Sequence, residues 1–299
     1  MARLETKSLV EGALFTAITV ILSLIAFYLP PIIGVILLFI LPVPLIVVGV
    51  RQGTKTSILT AILSGIILGV LLNPIMILVV LVGFGLVGVV LGAAFEEEFS
   101  PYKLIVVAII ASILSTLLMV AINFYLFNFN PATILTQAID KYQELGLDQA
   151  TVEELEAITN NLKESIQVLL PALFITAGSI NGLINYYVGL LVLNKLGYNY
   201  ESPLTFAKWK FPKYLVSGYL LGIILINTAV GQNLYLIFNF VFLIQGLAVT
   251  AHYLKRFNIS DKIQKVILVV LALIPLNQII VFLGLFDAWF DYRGLEEKD

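Results

Sequence analysis

Side chains able to do chemistry are scarce in this sequence. It holds one histidine, His252, and no cysteine in 299 residues, which removes disulfides, thiolate nucleophiles and cysteine metal sites together. No His-Glu-x-x-His and no Gly-x-x-x-x-Gly-Lys-Ser/Thr occurs, and no apolar run carries paired carboxylates or a Ser-Lys pair. Hydrolysis and nucleotide-driven work need such groups, so the expectation is a protein that is not an enzyme and uses no cofactor and no metal. The polar groups that do lie inside apolar runs are neutral: Asn181, Asn185, Asn227, Asn239, Gln245, Asn277 and Gln278, with Thr176 and Ser179 nearby. An amide in hydrocarbon must find a partner, and an interhelical hydrogen bond there is worth about 0.6 to 2 kcal/mol. The seven amides therefore read first as glue between helices. Their second reading is as ligand-binding candidates, holding a neutral or zwitterionic small organic ligand with aromatics such as Tyr125, Tyr186, Tyr187 and Tyr219.

The elements that position these groups follow from composition. Hydrophobic residues make up 60% of the chain and charged ones 12%, with a mean hydropathy of +1.02. A soluble domain carries about 25% charged residues, so the lipid bilayer is the solvent this chain suits. A spanning helix needs about 20 predominantly apolar residues. Nine such segments stand near 9–29, 32–50, 57–72, 75–95, 104–127, 166–194, 215–231, 234–254 and 266–286, and none has a charge near its middle. Pumps keep charges at that depth. Breaks fall at Pro30-Pro31, at Asn73-Pro74 and at Gly231-Gln232-Asn233, which fits a tight turn. The runs 57–72 and 215–231 are short; if one is re-entrant, eight spans remain and the carboxyl terminus changes side. The expected fold is an all-α polytopic transmembrane helical bundle of eight to nine spans, forming one integral membrane domain over 1–299.

Cations set orientation, because lysine and arginine are retained in cytoplasmic loops. With the amino terminus cytoplasmic, 13 of the 17 Lys and Arg lie inside, and only Lys141, Lys163, Arg293 and Lys298 fall outside. Residues 1–29 lack a small-x-small cleavage site, which favours a retained first helix over a signal peptide. The expected location is the bacterial plasma membrane. A net charge of −2 argues against a nucleic-acid partner.

One polar excursion interrupts the apolar pattern. Residues 128–165 carry seven Asp and Glu against two Lys. Leu135, Ala138, Ile139, Tyr142 and Leu145 keep helical spacing up to Gly146, and Val152, Leu155, Ile158, Leu162 and Ile166 repeat it after Thr151, which forms a capping box with Glu154. This is an external amphipathic helical hairpin, either a connector resting on the membrane or a lid over an outward cavity.

Small residues four apart recur at Ala13/Ala17, Ala61/Gly65/Gly69, Gly88/Gly92, Gly178/Gly182 and Gly218/Gly222. That spacing lets helix backbones approach closely, and most of these pairs are expected to pack internally.

Two resemblances follow from longer stretches. Phe206-Ala207-Lys208-Trp209-Lys210-Phe211-Pro212, Gln245-Gly246-Leu247, and Leu283-Gly284-Leu285-Phe286-Asp287 followed by Asp291 and Arg293 resemble the YybS-like family of bacterial polytopic membrane proteins across nearly the whole chain. The first third, with Ala13-x-x-x-Ala17, then Leu41-Pro42-Val43-Pro44-Leu45-Ile46-Val47-Val48-Gly49, a short basic loop, and Gly65 and Gly69, is similar to the S component of energy-coupling factor vitamin transporters. That resemblance implies partner-helix docking at Ala13 and Ala17, a coupling membrane subunit and cytoplasmic ATPases as partners, and a small vitamin-like ligand. S components have six spans, so 215–286 is surplus, and no ligand motif of theirs matches here. The alternative expectation is a non-transporting scaffold of the cell envelope.

In the loop 195–214, Lys208, Lys210 and Lys213 are interleaved with Phe206, Trp209 and Phe211, a composition suited to the anionic inner interface. Protease added to inside-out vesicles should cut this loop, while intact cells should protect it. Cleavage from outside with protection inside would overturn the orientation.

Overall fold

The computed structural model describes residues 6–127, 149–203, 205–257, 259–273 and 277–295. Among them the chain is all helical: α1 (Thr6–Tyr28), α2 (Pro31–Leu38), α3 (Val43–Gln52), α4 (Thr54–Leu71), α5 (Met76–Glu96), α6 (Pro101–Phe127), α7 (Gln149–Lys195), α8 (Leu215–Ile224), α9 (Ala229–Arg256), α10 (Asp261–Leu273) and α11 (Gln278–Phe290). Six of these, α1, α4, α5, α6, α7 and α9, are long and apolar enough to cross a bilayer. The segment 32–50 is divided between two short helices, and α8 has only ten residues. The helices divide into two compact units, residues 1–129 with 177–202 and residues 130–176 with 203–299.

In the first unit α1 and α4 turn their hydroxyls inward, beside an apolar core of Leu41, Leu45, Leu68, Val80 and Phe84. α1 buries Ser8, Gly12, Thr16, Thr19 and Ser23 and leaves Leu9, Val10, Leu14 and Ile21 more than half exposed. α4 likewise buries Thr56, Ser57, Thr60 and Ser64 while Ile58, Leu63 and Ile66 face outward. Lipid accepts the apolar faces at no cost but offers no hydrogen bonds, so the hydroxyls turn inward and serve backbone carbonyls. Ser57 Oγ donates to Leu45 O at 2.8 Å, and Thr60 Oγ1 to Gly12 O at 3.4 Å. Within α5, residues Val79–Gly85 form a π-helical stretch. Ser115 of α6 donates to the Val82 and Gly83 carbonyls there, at 2.6 and 2.7 Å.

Small residues make the close contacts. A Cβ at Gly88 would stand 2.7 Å from Leu45 Cβ, and one at Gly182 would stand 2.6 Å from Ala108 O.

The second unit is built around α9 and α11. Asn239 of α9 pairs with Gln278 and Gln245 with Asp287, so the two helices run parallel. They touch through glycines: a Cβ on Gly246 would collide with the Ile280 carbonyl, and one on Gly284 with the Phe242 carbonyl. Phe242 and Val281, both fully buried, pack beside this contact with Tyr219 of α8.

Two sequence expectations are revised by the structure. The run 266–286 is not one straight helix: α10 and α11 are bent by 106°. Because α11 runs parallel to α9, it returns to the end of the unit where α9 finishes. Gly231-Gln232-Asn233 is not a turn but the first turn of α9, which Thr228 caps by accepting from Gly231 N. Of the external hairpin, residues 128–148, with the first arm and Gly146, lie outside the described residues. The second arm is continuous with the following span as α7, 47 residues long and therefore about 70 Å at 1.5 Å per residue, more than twice the hydrocarbon thickness of about 30 Å.

Gly284→Val forces α9 and α11 apart and should lower the thermal midpoint of the detergent-purified protein markedly, an overpacking cost of about 1–3 kcal/mol or more. Leu283→Val, on the exposed side of the same turn, should leave the midpoint nearly unchanged.

Candidate functional site

α11 ends at Phe290, and its cap residue, Asp291, takes a left-handed conformation with φ 48° and ψ 51°. Aspartate tolerates that region better than most residues. The reversal brings Arg293 back beneath the helix to Asp287. The guanidinium Nε lies 3.1 Å from both Asp287 carboxylate oxygens, and Nη2 lies 2.7 Å from Oδ2. Both side chains are fully buried. The same guanidinium donates from Nη1 to Ala207 O and from Nη2 to Trp209 O, each at 2.7 Å. Gln245 completes the shell, donating from Nε2 to Asp287 Oδ2 at 2.9 Å and accepting from Phe211 N at 3.0 Å. Lys210 Nζ and Asp291 Oδ1 form a second ion pair at 2.7 Å.

The segment 206–211 is thereby strapped to α9 and α11 through three backbone groups, Ala207 O, Trp209 O and Phe211 N, and through the Lys210 side chain. Planar Arg suits this task, since its fork reaches a carboxylate and two carbonyls together. The three stretches that carry the YybS-like resemblance meet here, although 86 residues separate Ala207 from Arg293. Counting spans along the sequence places Arg293 on the opposite membrane side from Ala207. The hydrogen bonds hold the two together instead, because the α10–α11 bend returns the chain.

The seven amide candidates do not form one pocket. Asn239 Nδ2 donates to Gln278 Oε1, and Gln278 Nε2 donates to the Tyr219 hydroxyl oxygen, both at 3.0 Å. With Gln245 these three serve as glue inside the second unit. Asn227 is exposed in the link before α9, and Asn277 precedes α11 without capping it. Asn181 and Asn185 belong to the first unit, where Asn185 Nδ2 donates to Asn181 O at 2.9 Å and to Asn181 Oδ1 at 2.8 Å. Asn185 Oδ1 and the neighbouring Tyr186 hydroxyl are buried and have no hydrogen-bond partner. Of the other aromatics, Tyr125 is 80% exposed and Tyr219 buried.

An eighth amide does work that the sequence reading missed. Pro171 lies inside α7 and interrupts its hydrogen-bond ladder. Asn233 fills the gap, accepting from Ala172 N at 2.9 Å and donating to Val168 O at 2.7 Å. The available signal was a proline in the middle of an apolar helix, which demands an outside partner.

Ala13 and Ala17 are both exposed on α1. In the first unit an open groove of about 440 Å³ is bordered by Glu98, Phe99, Tyr198, Tyr200 and Glu201. Tyr200 donates to Phe95 O at 2.9 Å, and burial, followed by the charges of Tyr198, Glu98 and Glu96, pushes its hydroxyl pKa up. Among the described residues no cluster of three or more His, Asp or Glu could hold a metal.

Arg293→Met leaves a buried carboxylate without its cation and should cost about 3–5 kcal/mol, whereas Arg293→Met with Asp287→Leu should recover much of that loss. Thermal unfolding of both variants in detergent checks the order; equal loss in the two would remove the ion pair as the organising contact.

No solved structure matches the chain. It is 26% identical over 315 residues to the uncharacterized protein YybS of Bacillus subtilis strain 168, an alignment covering 97% of this chain and 98% of that protein. Residues 17–288 match the model of a family described as predicted membrane protein DUF2232. That match takes in most of the apolar helices and the Asp287 end of the cluster, and the chain belongs to the DUF2232 family of predicted membrane proteins.

Proposed function

We propose that this protein is a non-enzymatic membrane subunit that binds a small organic molecule, has no energy source of its own, and acts with a partner membrane protein docked along α1. The observation that carries the docking is the fate of the small-residue pairs. Gly88, Gly92, Gly178, Gly182, Gly218 and Gly222 each have neighbouring helix atoms where a Cβ would go. Ala13 and Ala17 remain exposed, between Leu9, Val10, Leu14 and Ile21. A small-residue face left open to lipid admits another helix closely, which is the usual basis of association where no hydrophobic drive exists.

Two features support ligand binding. The first compact unit gathers α1 to α6 and the end of α7 and includes the first third of the chain, which is similar to S components. Inside it Asn185 Oδ1 and the Tyr186 hydroxyl are still unpaired, at a cost of about 1–3 kcal/mol for each buried polar atom left so. A small polar ligand would relieve that cost. On this reading the coupling membrane subunit and its ATPases supply the energy.

A cell-envelope scaffold is the second reading, favoured by the amides of the second unit, which Asn239, Gln245 and Gln278 spend on one another and on Tyr219 and Asp287.

The first reading requires the α1 face, so Ala13→Leu with Ala17→Leu should abolish co-purification of a coupling subunit and its ATPases while leaving the thermal midpoint unchanged. Complexes that survive the double substitution would exclude docking at α1. The ligand separates the readings: among vitamins and their precursors, a true ligand at 100 times its Kd should stabilise the protein by about 2.7 kcal/mol, and a scaffold should respond to none.

A further inference from the structure

The strap held by Arg293 does more than close the second unit. Beside it opens a cavity of about 500 Å³ lined by Thr205, Ala207, Lys208, His252, Lys255 and Arg256. Three permanent cations converge there from two separated stretches of chain. Among the described residues none of the three is in an ion pair, and the nearby carboxylates are engaged, Asp287 by Arg293 and Asp291 by Lys210. Lysine and arginine at the end of α9 would suit the helix dipole by themselves. The dipole accounts neither for Lys208, which comes from the strap, nor for a cavity between them. Lys208 is also fixed in place. Its backbone lies between the Ala207 and Trp209 carbonyls, both of which accept from the buried guanidinium. Three cations, a histidine and the Thr205 hydroxyl around an open volume make a receptor for a compact multivalent anion with several acceptor oxygens.

We propose that this cavity binds a phosphate group, with Lys208, Lys255 and Arg256 as its cationic ligands and Arg293 as the positioning residue that holds Lys208. The group could arrive as the headgroup of an anionic phospholipid or as a free phosphate; the chemistry of recognition is the same, and the source is open to experiment. This inference is independent of ligand binding in the first unit.

Trp209, adjacent to Lys208, supplies the readout. The chain has two tryptophans, and the other, Trp289, is 58% exposed, so Trp289→Phe leaves Trp209 fluorescence as a local probe. Full-length protein of that background in micelles of dodecyl maltoside, which carries no phosphate, is titrated with phosphatidylglycerol, and separately with inorganic phosphate against chloride at equal ionic strength. A saturable change is expected. Lys208→Gln with Arg256→Gln should weaken the apparent affinity about tenfold or more, whereas Lys262→Gln with Lys265→Gln, which removes the same charge outside the cavity, should leave it unchanged. Saturation by phosphatidylglycerol alone identifies the lipid headgroup as the source; saturation by inorganic phosphate identifies a soluble one. Absence of saturation with both probes, or equal weakening in the two double variants, would overturn the site. If the Lys208 and Arg256 pair does not yield monodisperse protein, Lys255→Gln alone serves, with several-fold weakening expected and none counting against the proposal.

Discussion

Hydrocarbon solvates apolar side chains and nothing else, and this constraint orders the whole molecule. Every polar group carried into the bilayer must be served by another part of the chain. The consequence is a surface rich in leucine, isoleucine and valine, with the hydroxyls and amides of the spans buried among the apolar residues of the core. Ser57 answers Leu45, Ser115 answers the π-helical carbonyls of α5, and Asn233 answers the ladder that Pro171 opens. In each case a short polar side chain completes a backbone position that lipid would leave unpaired.

The same rule makes the Asp287–Arg293 pair costly and informative. Two buried charges are tolerated only when all their donors and acceptors are engaged, and here the guanidinium reaches a carboxylate and two carbonyls while Gln245 fills a further position on the carboxylate. A buried ion pair contributes less to stability than well-packed apolar residues would. Its value in this fold lies in geometry. It fixes where the 206–211 strap crosses α9 and α11, and glycines 246 and 284 bring those helices close enough for the contact to form. Chain reversal at Asp291 is the remaining requirement, met by one residue in the left-handed region.

The polar resources of the two units are spent differently. In the second unit the amides and the buried charges are engaged with one another, and free cationic capacity stays at the edge of the strap. In the first unit several buried polar atoms, among them Ser64 Oγ, Ser112 Oγ, Asn185 Oδ1 and the Tyr186 hydroxyl, have no hydrogen-bond partner, and α1 exposes a small-residue face. The two units thus differ in where their polar groups stand without partners, inside the first and at one end of the second.

Composition and periodicity by themselves established the solvent and the helical class. Apolar runs without central charges mark α1, α4, α5, α6, the later part of α7 and α9, because spanning a bilayer is a demand on local sequence alone. The Phe206–Pro212, Gln245–Leu247 and Leu283–Arg293 stretches were legible as family signatures, but not as one site. Their meeting depends on the bend between α10 and α11, on two glycine contacts and on a reversal at Asp291, none of which has a local pattern. Asn239, Gln245 and Gln278 were visible as amides in need of partners, and Asn233 was hidden by its neighbours Gly231 and Gln232, which suggested a turn. Only the tertiary structure could assign who answers whom, since a hydrogen bond between residues 39 to 86 positions apart is chosen by helix packing and not by the spacing of residues along the chain.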